Sequence, residues 1–334
     1  MLTRPTLLFA LVAGFLVTSC AGPRGADTPA VRVLSFNLWH GGDAGGVDGD
    51  GRGVAAIAAA IRACGADLVG VQEAAGRAPA GGDERPDRTV EVAELLGFEH
   101  IGLAGRRALL SRWPILARSP GGHGVLVDAP GGALALFTCH LAHAPYQPYQ
   151  LVGIEYHGGA FLDTAAEAVA AAREARGDQV AAIVADIDAS GWDAPVFVTG
   201  DFNEPSHLDW TAAAVAAGRA PVAVDWPSSG AFAAAGFRDL FRAVHPDPVA
   251  RPGHTWTPLT APDDPTDRHD RIDLVLARDS AGRAVVVERV LVVGESPAFA
   301  DLVVEPWPSD HRAVLAECRV ESRAIANARR SDHR

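Results

Sequence analysis

The chain has 334 residues, 48% of them hydrophobic and 21% charged, which excludes a disordered polypeptide and leaves room for one large domain or two ordinary ones. Its formal net charge is −12, and every fixed positive side chain is an arginine, because the sequence contains no lysine. Such a balance weighs against tight, nonspecific binding of duplex nucleic acid, although it leaves room for a local basic groove.

Residues 1–20 read as a targeting segment. Arg4 supplies the positive start, and Leu7 to Val17 form an apolar run too short to span a bilayer. The run closes on Val17-Thr18-Ser19-Cys20, which resembles the bacterial lipobox, where the cysteine is lipidated and becomes the mature N-terminus. An ordinary signal peptide with a bystander cysteine is the alternative. Residues 21–30 form a flexible tether. The expected product is exported and held on the outer face of a bacterial membrane through lipid on Cys20, or else secreted.

The first strand, Val31 to Phe36, delivers Asn37 at its end. Gly41 to Gly53 is a loop by composition; its Asp48 and Asp50 hint at calcium but do not complete an EF-hand. Val54, Ile57, Ala58 and Ile61 recur at helical spacing, and Gly65 stops that helix. A second buried strand, Asp67 to Gln72, ends in Glu73. An unpaired charge there is too expensive to be core, so Glu73 is solvated or bound to something. Val90 to Leu96 is a short helix. Strand pieces with turns follow through Leu136, with Ser111-Arg112-Trp113-Pro114 among them. Ala133 to Cys139 is a further strand, and it ends in His140.

Tyr146 to Tyr156 begins as an irregular loop. Thr164 to Arg176 is an alanine-rich helix, with Gly177 a candidate break before it resumes through Val184. The central strand Val196-Phe197-Val198-Thr199 runs into Gly200-Asp201-Phe202-Asn203, which sets an acid and an amide at a sheet edge. Glu204 to Trp210 reads as a helix capped by Ser206. Pro221 to Arg251 is a proline-punctuated connection, and an acidic, proline-rich loop precedes Asp270-Arg271-Ile272-Asp273. Leu274 to Leu276 and Val285 to Val293 are strands. Ser309-Asp310-His311 precedes a last one. Residues 31–320 form one domain without repeats or a linker, and residues 321–334 a disordered tail. Without Cys20, the remaining Cys64, Cys139 and Cys318 are neither a disulfide framework nor a zinc site; Cys139 and Cys318 read as buried small hydrophobes.

Collected, the strand-edge residues are Asn37, Glu73, His140, Asp201, Asn203, Asp273, Asp310 and His311. They have the composition of a phosphate-ester hydrolysis site. Carboxylate and amide oxygens without a three-histidine or cysteine cluster suit Mg²⁺, with Mn²⁺ as substitute, rather than zinc. Two histidines can donate to a phosphoryl oxygen, and a spare carboxylate can orient or deprotonate water. Asp273 can hold His311 in its useful tautomer.

The order Asn37, Gln72-Glu73, Ser111-Arg112-x-Pro114, His140-Leu141, Gly200-Asp201-Phe202-Asn203, Arg271-x-Asp273, Ser309-Asp310-His311 resembles the endonuclease/exonuclease/phosphatase superfamily over nearly all of residues 31–318. The resemblance implies an α/β fold, a four-layer α/β/β/α sandwich of two mixed β-sheets packed face to face with helices outside. It implies metal-binding roles for Asn37 and Glu73, with Asp310 near the metal. His140 and His311 match the catalytic histidines, Asp273 is the partner of His311, and Asp201 and Asn203 position the attacking water and contact the phosphate. The expected reaction is in-line attack of water on the phosphorus of a small or lipid-borne mono- or diester. An extracellular nuclease using the same centre is the first alternative, kept open by Arg106, Arg107 and Arg112; a non-catalytic binding module is the second. No protein partner is evident. His143, His207 and Trp256 are candidates to line the site, and no acid stands out as partner of His140.

Overall fold

Apolar and β-branched runs become strands and alanine-rich runs become helices in an order that builds two sheets. The structure is a computed structural model that describes residues 30–44, 52–79 and 82–326. The segment through Cys20, the tether to residue 29, Asp48 and Asp50, and residues 327–334 lie outside the described residues.

In chain order, β1 (Ala30–Asn37) precedes a 3-10 turn at His40–Gly42, then come α1 (Arg52–Cys64) and β2 (Leu68–Gln72). Next are α2 (Arg88–Leu96), β3 (Glu99–Leu103), β4 (Arg107–Ser111), β5 (Ile115–Arg118), β6 (Gly124–Val127) and β7 (Leu134–His140). Two helices, α3 (Gln147–Val152) and α4 (Ala165–Ser190), lead to β8 (Val196–Asp201). Then α5 (Ala212–Ala216), α6 (Pro227–Ala234), β9 (Arg238–Asp239) and α7 (Leu240–Val244) follow. The last strands are β10 (Asp273–Arg278), β11 (Arg283–Gly294), β12 (Leu302–Val303) and β13 (Ala313–Ser322).

One sheet has seven strands in the order β12-β11-β13-β1-β2-β4-β3, and the other has six in the order β5-β6-β7-β8-β10-β9. Both are mixed. β1 pairs parallel with β2 but antiparallel with β13, and β8 pairs parallel with β7 but antiparallel with β10. Val33, Leu68, Leu136, Phe197, Val275 and Val314 pack between the sheets. The alternate residues Leu34, Phe36, Val69 and Leu315 face outward under α1 and α2. On the other side Phe137, Val198 and Leu274 pack beneath α4 and α6. Each central strand is therefore apolar on both faces, which is why the sequence shows runs rather than alternation. The sheets approach closely where the chain lacks a side chain: a Cβ on Gly70 would stand 1.7 Å from Thr199 Oγ1.

Four local expectations give way. Residues 204–210 are not a Ser206-capped helix; Ser206 Oγ donates instead to Asp239 Oδ2 at 2.7 Å, and the helix begins at Ala212 behind a Thr211 cap. Gly177 does not break α4, which runs unbroken from a Thr164–Glu167 capping box to Ser190. A single glycine costs a helix only about 1 kcal/mol, less than the packing of Ala172, Val180 and Ile183 returns. The segment after Tyr146 contains a short helix, α3, and is not wholly irregular. β13 continues through Ser322, two residues past the domain boundary read from the sequence. Cys64, Cys139 and Cys318 are all buried and free, and burial pushes the Cys64 thiol up to about 12.

Candidate active site

The site is built where strand ends meet. Asn37 closes β1, Glu73 follows β2, His140 and Asp201 close β7 and β8, and Asp273 opens the antiparallel β10. In the ladder His140 is the partner of Asp201, and Asp201 is the partner of Asp273. Ser309 ties the end of β1 to the segment leading into its neighbour β13: its Oγ donates to the Asn37 carbonyl at 2.7 Å and accepts from His311 N at 3.0 Å. All eight residues singled out in the sequence thus come to one edge of the sandwich.

His311 is the hub. Its Nδ1 lies 2.9 Å from Asp273 Oδ2, and its Nε2 lies 3.7 Å from Asp201 Oδ2 and 3.5 Å from Asn37 Nδ2. Thr255 Oγ1 accepts from Ile272 N and Asp273 N, which fixes the start of β10. Burial opposes a charge on His311, but Asp273 and Asp201 outweigh it and raise the group to about 10. The two carboxylates thus favour the protonated imidazole. Burial pushes Asp273 above the usual carboxylate range while His311 pulls it back.

Asp201 Oδ2 also accepts from Asn37 Nδ2 at 3.0 Å and lies 3.5 Å from His140 Nε2. Asp201 is thus the carboxylate in contact with His140. Asn203 N donates to Asp201 Oδ1 at 2.8 Å and Asn203 Nδ2 to the Leu141 carbonyl at 3.1 Å, so Asn203 is locked beside Asp201.

Asp310 Oδ1 is buried with no hydrogen-bond partner among the described residues. Burial raises the Asp310 carboxyl to about 7; His311 draws it down, and Glu73 and Asp201 push it up again. Three acids that repel one another around an orphaned oxygen are a donor set for a divalent cation. Among the described residues Asn37 Oδ1 accepts only from Trp39 N at 3.1 Å, leaving a lone pair for the same cation. Asp201, Asp273 and His311 also bring ligand atoms within 4.8 Å of one another. Asp273 Oδ1 is also without a partner among the described residues, but Asp273 Oδ2 and Asp201 Oδ2 are engaged with the His311 ring, so Asn37, Glu73 and Asp310 fit a metal better.

A sequence model of the Endonuclease/Exonuclease/phosphatase family matches residues 34–311, a span that contains every one of these side chains. The chain belongs to this family. Endonuclease/exonuclease/phosphatase proteins are metal-dependent hydrolases acting on phosphoester bonds, and the chain is an enzyme of that class. It is 26% identical over 313 residues to the uncharacterized protein F14F9.5 of Caenorhabditis elegans, across 86% of this chain and 90% of that protein. The endonuclease/exonuclease/phosphatase of Beutenbergia cavernae DSM 12333 has a similar structure, with a TM-score of 0.51, 21% identity, and coverage of 87% of this chain and 72% of that one. So does a family protein from Leptotrichia buccalis C-1013-b, with a TM-score of 0.51, 13% identity and coverage of 87% and 99%. These likenesses show the shared sandwich.

Around the family's strand-edge centre lies a pocket of about 640 Å³, and most of its walls come from loops. Trp39, His40, Arg85 and Arg106 line one flank; Tyr146, Tyr149, Tyr156 and Trp256 line another. His143 and Trp256 are where the sequence suggested, and the Trp256 ring lies 4.9 Å from that of His311. His207 is not at the site; its Nδ1 lies 3.0 Å from Ser229 Oγ. Of the three arginines, only Arg106 lines the pocket. Arg107 donates to the Thr138 carbonyl at 2.6 Å beneath the sheet edge, and Arg112 pairs with Asp67 at 2.8 Å. Arg271 is buried, bonded to Asp209 at 2.9 Å and Asp239 at 2.7 Å. Sequence reading missed Trp39, His40 and Arg85 because they sit in glycine-rich loops with no periodicity.

Backbone strain gathers at the same mouth. Among the described residues six non-glycine residues have positive φ, and five of them, Trp39, His40, Glu73, Arg106 and Asn203, line the pocket. Left-handed backbone at ordinary side chains costs of order 1–3 kcal/mol each and persists where surrounding structure over-determines it.

Proposed function

We propose that the chain is a Mg²⁺-dependent phosphoesterase that hydrolyses a phosphate mono- or diester of a small molecule or lipid headgroup by in-line attack of water. The observation that carries this reading is the convergence of His311, Asp273, Asp201 and His140 beside an orphaned carboxylate oxygen of Asp310. Asn37, Glu73 and Asp310 would hold the cation, which when bound supplies charge for the phosphoryl and leaving oxygens. His311, protonated and held by Asp273, donates from Nε2 to a phosphoryl oxygen. Asp201, anchored by Asn37 and the Asn203 amide, orients the attacking water and takes its proton. His140 donates to the second phosphoryl oxygen. Asn203 has one amide proton left for the phosphate.

The pocket supports a compact substrate. Its volume is in the range of small-ligand sites, and the aromatic flank of Tyr146, Tyr149, Tyr156 and Trp256 suits an organic leaving group. A nuclease would need a basic track leading away from the centre, yet Arg107 and Arg112 are committed elsewhere. The reading extends to location: export, and lipid on Cys20, would set this pocket at a membrane surface. Cys20→Ser should move the protein from the membrane fraction to the soluble one.

The deciding assay is hydrolysis of bis-p-nitrophenyl phosphate by the purified protein, alongside plasmid DNA, sphingomyelin and inositol phosphates. Turnover should require Mg²⁺ and stop in EDTA and in Asp201→Ala. Turnover that survives EDTA, or none with Mg²⁺ on any phosphoester, sinks the reading.

A further inference from the structure

We propose that Arg85, Arg106 and His40 form a second anion subsite beside Glu73, so that the preferred substrate carries a further phosphate close to the scissile one. The proposal rests on the phosphoesterase reading and names the substrate class for it.

Glu73 Oε2 accepts from His40 N at 3.0 Å and lies 3.2 Å from His40 Nδ1. Arg85 Nη2 reaches the same ring nitrogen at 2.8 Å. A guanidinium can only donate, so His40 Nδ1 accepts and the ring's proton is left on Nε2. The Arg85 cation is therefore one ring atom away from the carboxylate assigned to the metal. Arg106 arrives from the β3–β4 hairpin, whose turn is tied to the strand end by Ala74 N donating to the Arg106 carbonyl at 2.8 Å. Its guanidinium makes no hydrogen bond or ion pair among the described residues.

These cations crowd one another. Burial lowers the Arg85 guanidinium, and Arg106 and Arg77 push it the same way against Glu73 and Asp43. The neighbouring acids are already spent. Asp43 accepts from Arg77 N at 2.8 Å and pairs with Arg88 at 3.2 Å, and Glu73 faces the metal position. Positive charge facing a pocket, in a chain of net charge −12, is a site arranged for an anion. Backbone strain gives an independent sign of placement, because His40 and Arg106 are both held at positive φ, 57° and 58°. Among the described residues the aromatic flank carries no guanidinium, so the arginines serve one side of the scissile phosphate. Arginine's fork suits phosphate, which it binds bidentately.

The test compares two ligands that differ by one phosphate, glucose 6-phosphate and glucose 1,6-bisphosphate, by calorimetry in EDTA and by turnover with Mg²⁺. Wild-type protein should bind the bisphosphate about tenfold more tightly, and Arg106→Gln should reduce that preference to about threefold or less. Arg85→Gln/Arg106→Gln should abolish it. Arg106 is the decisive position, because Arg85 also braces the Ala75 and Gly76 carbonyls. Equal affinity for the two ligands, or a preference unchanged in Arg106→Gln, overturns the subsite. A trinucleotide, pTpTpT, that binds more tightly than the bisphosphate with the same arginine dependence would place the second phosphate on a nucleic-acid strand. A retained preference without any turnover would sink the phosphoesterase reading and leave the subsite standing.

Discussion

His311 Nδ1 lies 2.9 Å from Asp273 Oδ2, and both side chains are buried. The carboxylate both aims the ring and holds its proton, since burial alone would drive that proton off.

Removing the carboxylate separates those effects. Asp273→Asn should lower kcat by about 10²–10³-fold, within the usual range for disabling one acid–base group, with a smaller change in KM. The sign of the pH effect follows from the shift. His311 is raised to about 10, so the protonated form persists through neutral pH and activity should fall only as pH approaches 10. In Asp273→Asn the fall should move toward the ordinary histidine range near about 6.5. A pH–rate profile of the two proteins checks this; an unmoved basic limb would show that His311 does not act as a cation.

Metal binding should be coupled to pH through Asp310. Its carboxyl is raised to about 7, so in metal-free protein it ionises at a cost that grows as pH rises toward 7. A cation removes that cost, and its binding releases a proton below pH 7. The Mg²⁺-induced rise in Tm should therefore be larger at pH 8 than at pH 6, and Asp310→Asn should reduce it at pH 8. Thermal unfolding with and without EDTA measures both.

Arg271 belongs to the same sequence motif as Asp273 but acts through the scaffold. Its guanidinium bridges Asp209 and Asp239, which also hold Arg242 and Ser206. Arg271→Met leaves two buried carboxylates with one fewer counter-charge and should destabilise by about 3–5 kcal/mol. Urea unfolding should show the loss, while any protein that remains folded should keep its pH–rate profile.

The close approach of the sheets gives a steric prediction. Gly70→Ala drives a methyl into Thr199 Oγ1 and should cost about 1–3 kcal/mol or more. Adding Thr199→Ala removes the nearer atom and should recover part of the loss, measured again by urea unfolding.

The strand-edge residues could be read from the sequence because each follows an apolar run, and a polar side chain at such an end has nowhere to hide. The two-sided burial of β1, β2, β8 and β10 was visible for the same reason. Loops gave no comparable signal. His40 reaches the pocket through a positive-φ turn, and Arg85 through a side-chain contact with it formed between residues 45 apart. The Ser206 cap failed because a buried acid, Asp239, competes for the hydroxyl, and that competitor lies 33 residues downstream. The partner of His140 was hidden because Asp201 serves His140 and His311 together.

His140, Asp201 and Asp273 occupy one rung across three adjacent strands. Their spacing is set by main-chain pairing, which acts as a ruler that side-chain substitutions nearby hardly alter. A one-residue slip of β8 would turn its acid to the opposite surface and erase the chemistry at a stroke. The pocket's flanks are cut from separate lengths of connecting chain, so they can be rewritten without touching that ruler. Bond cleavage and substrate choice are thereby heritable as independent traits.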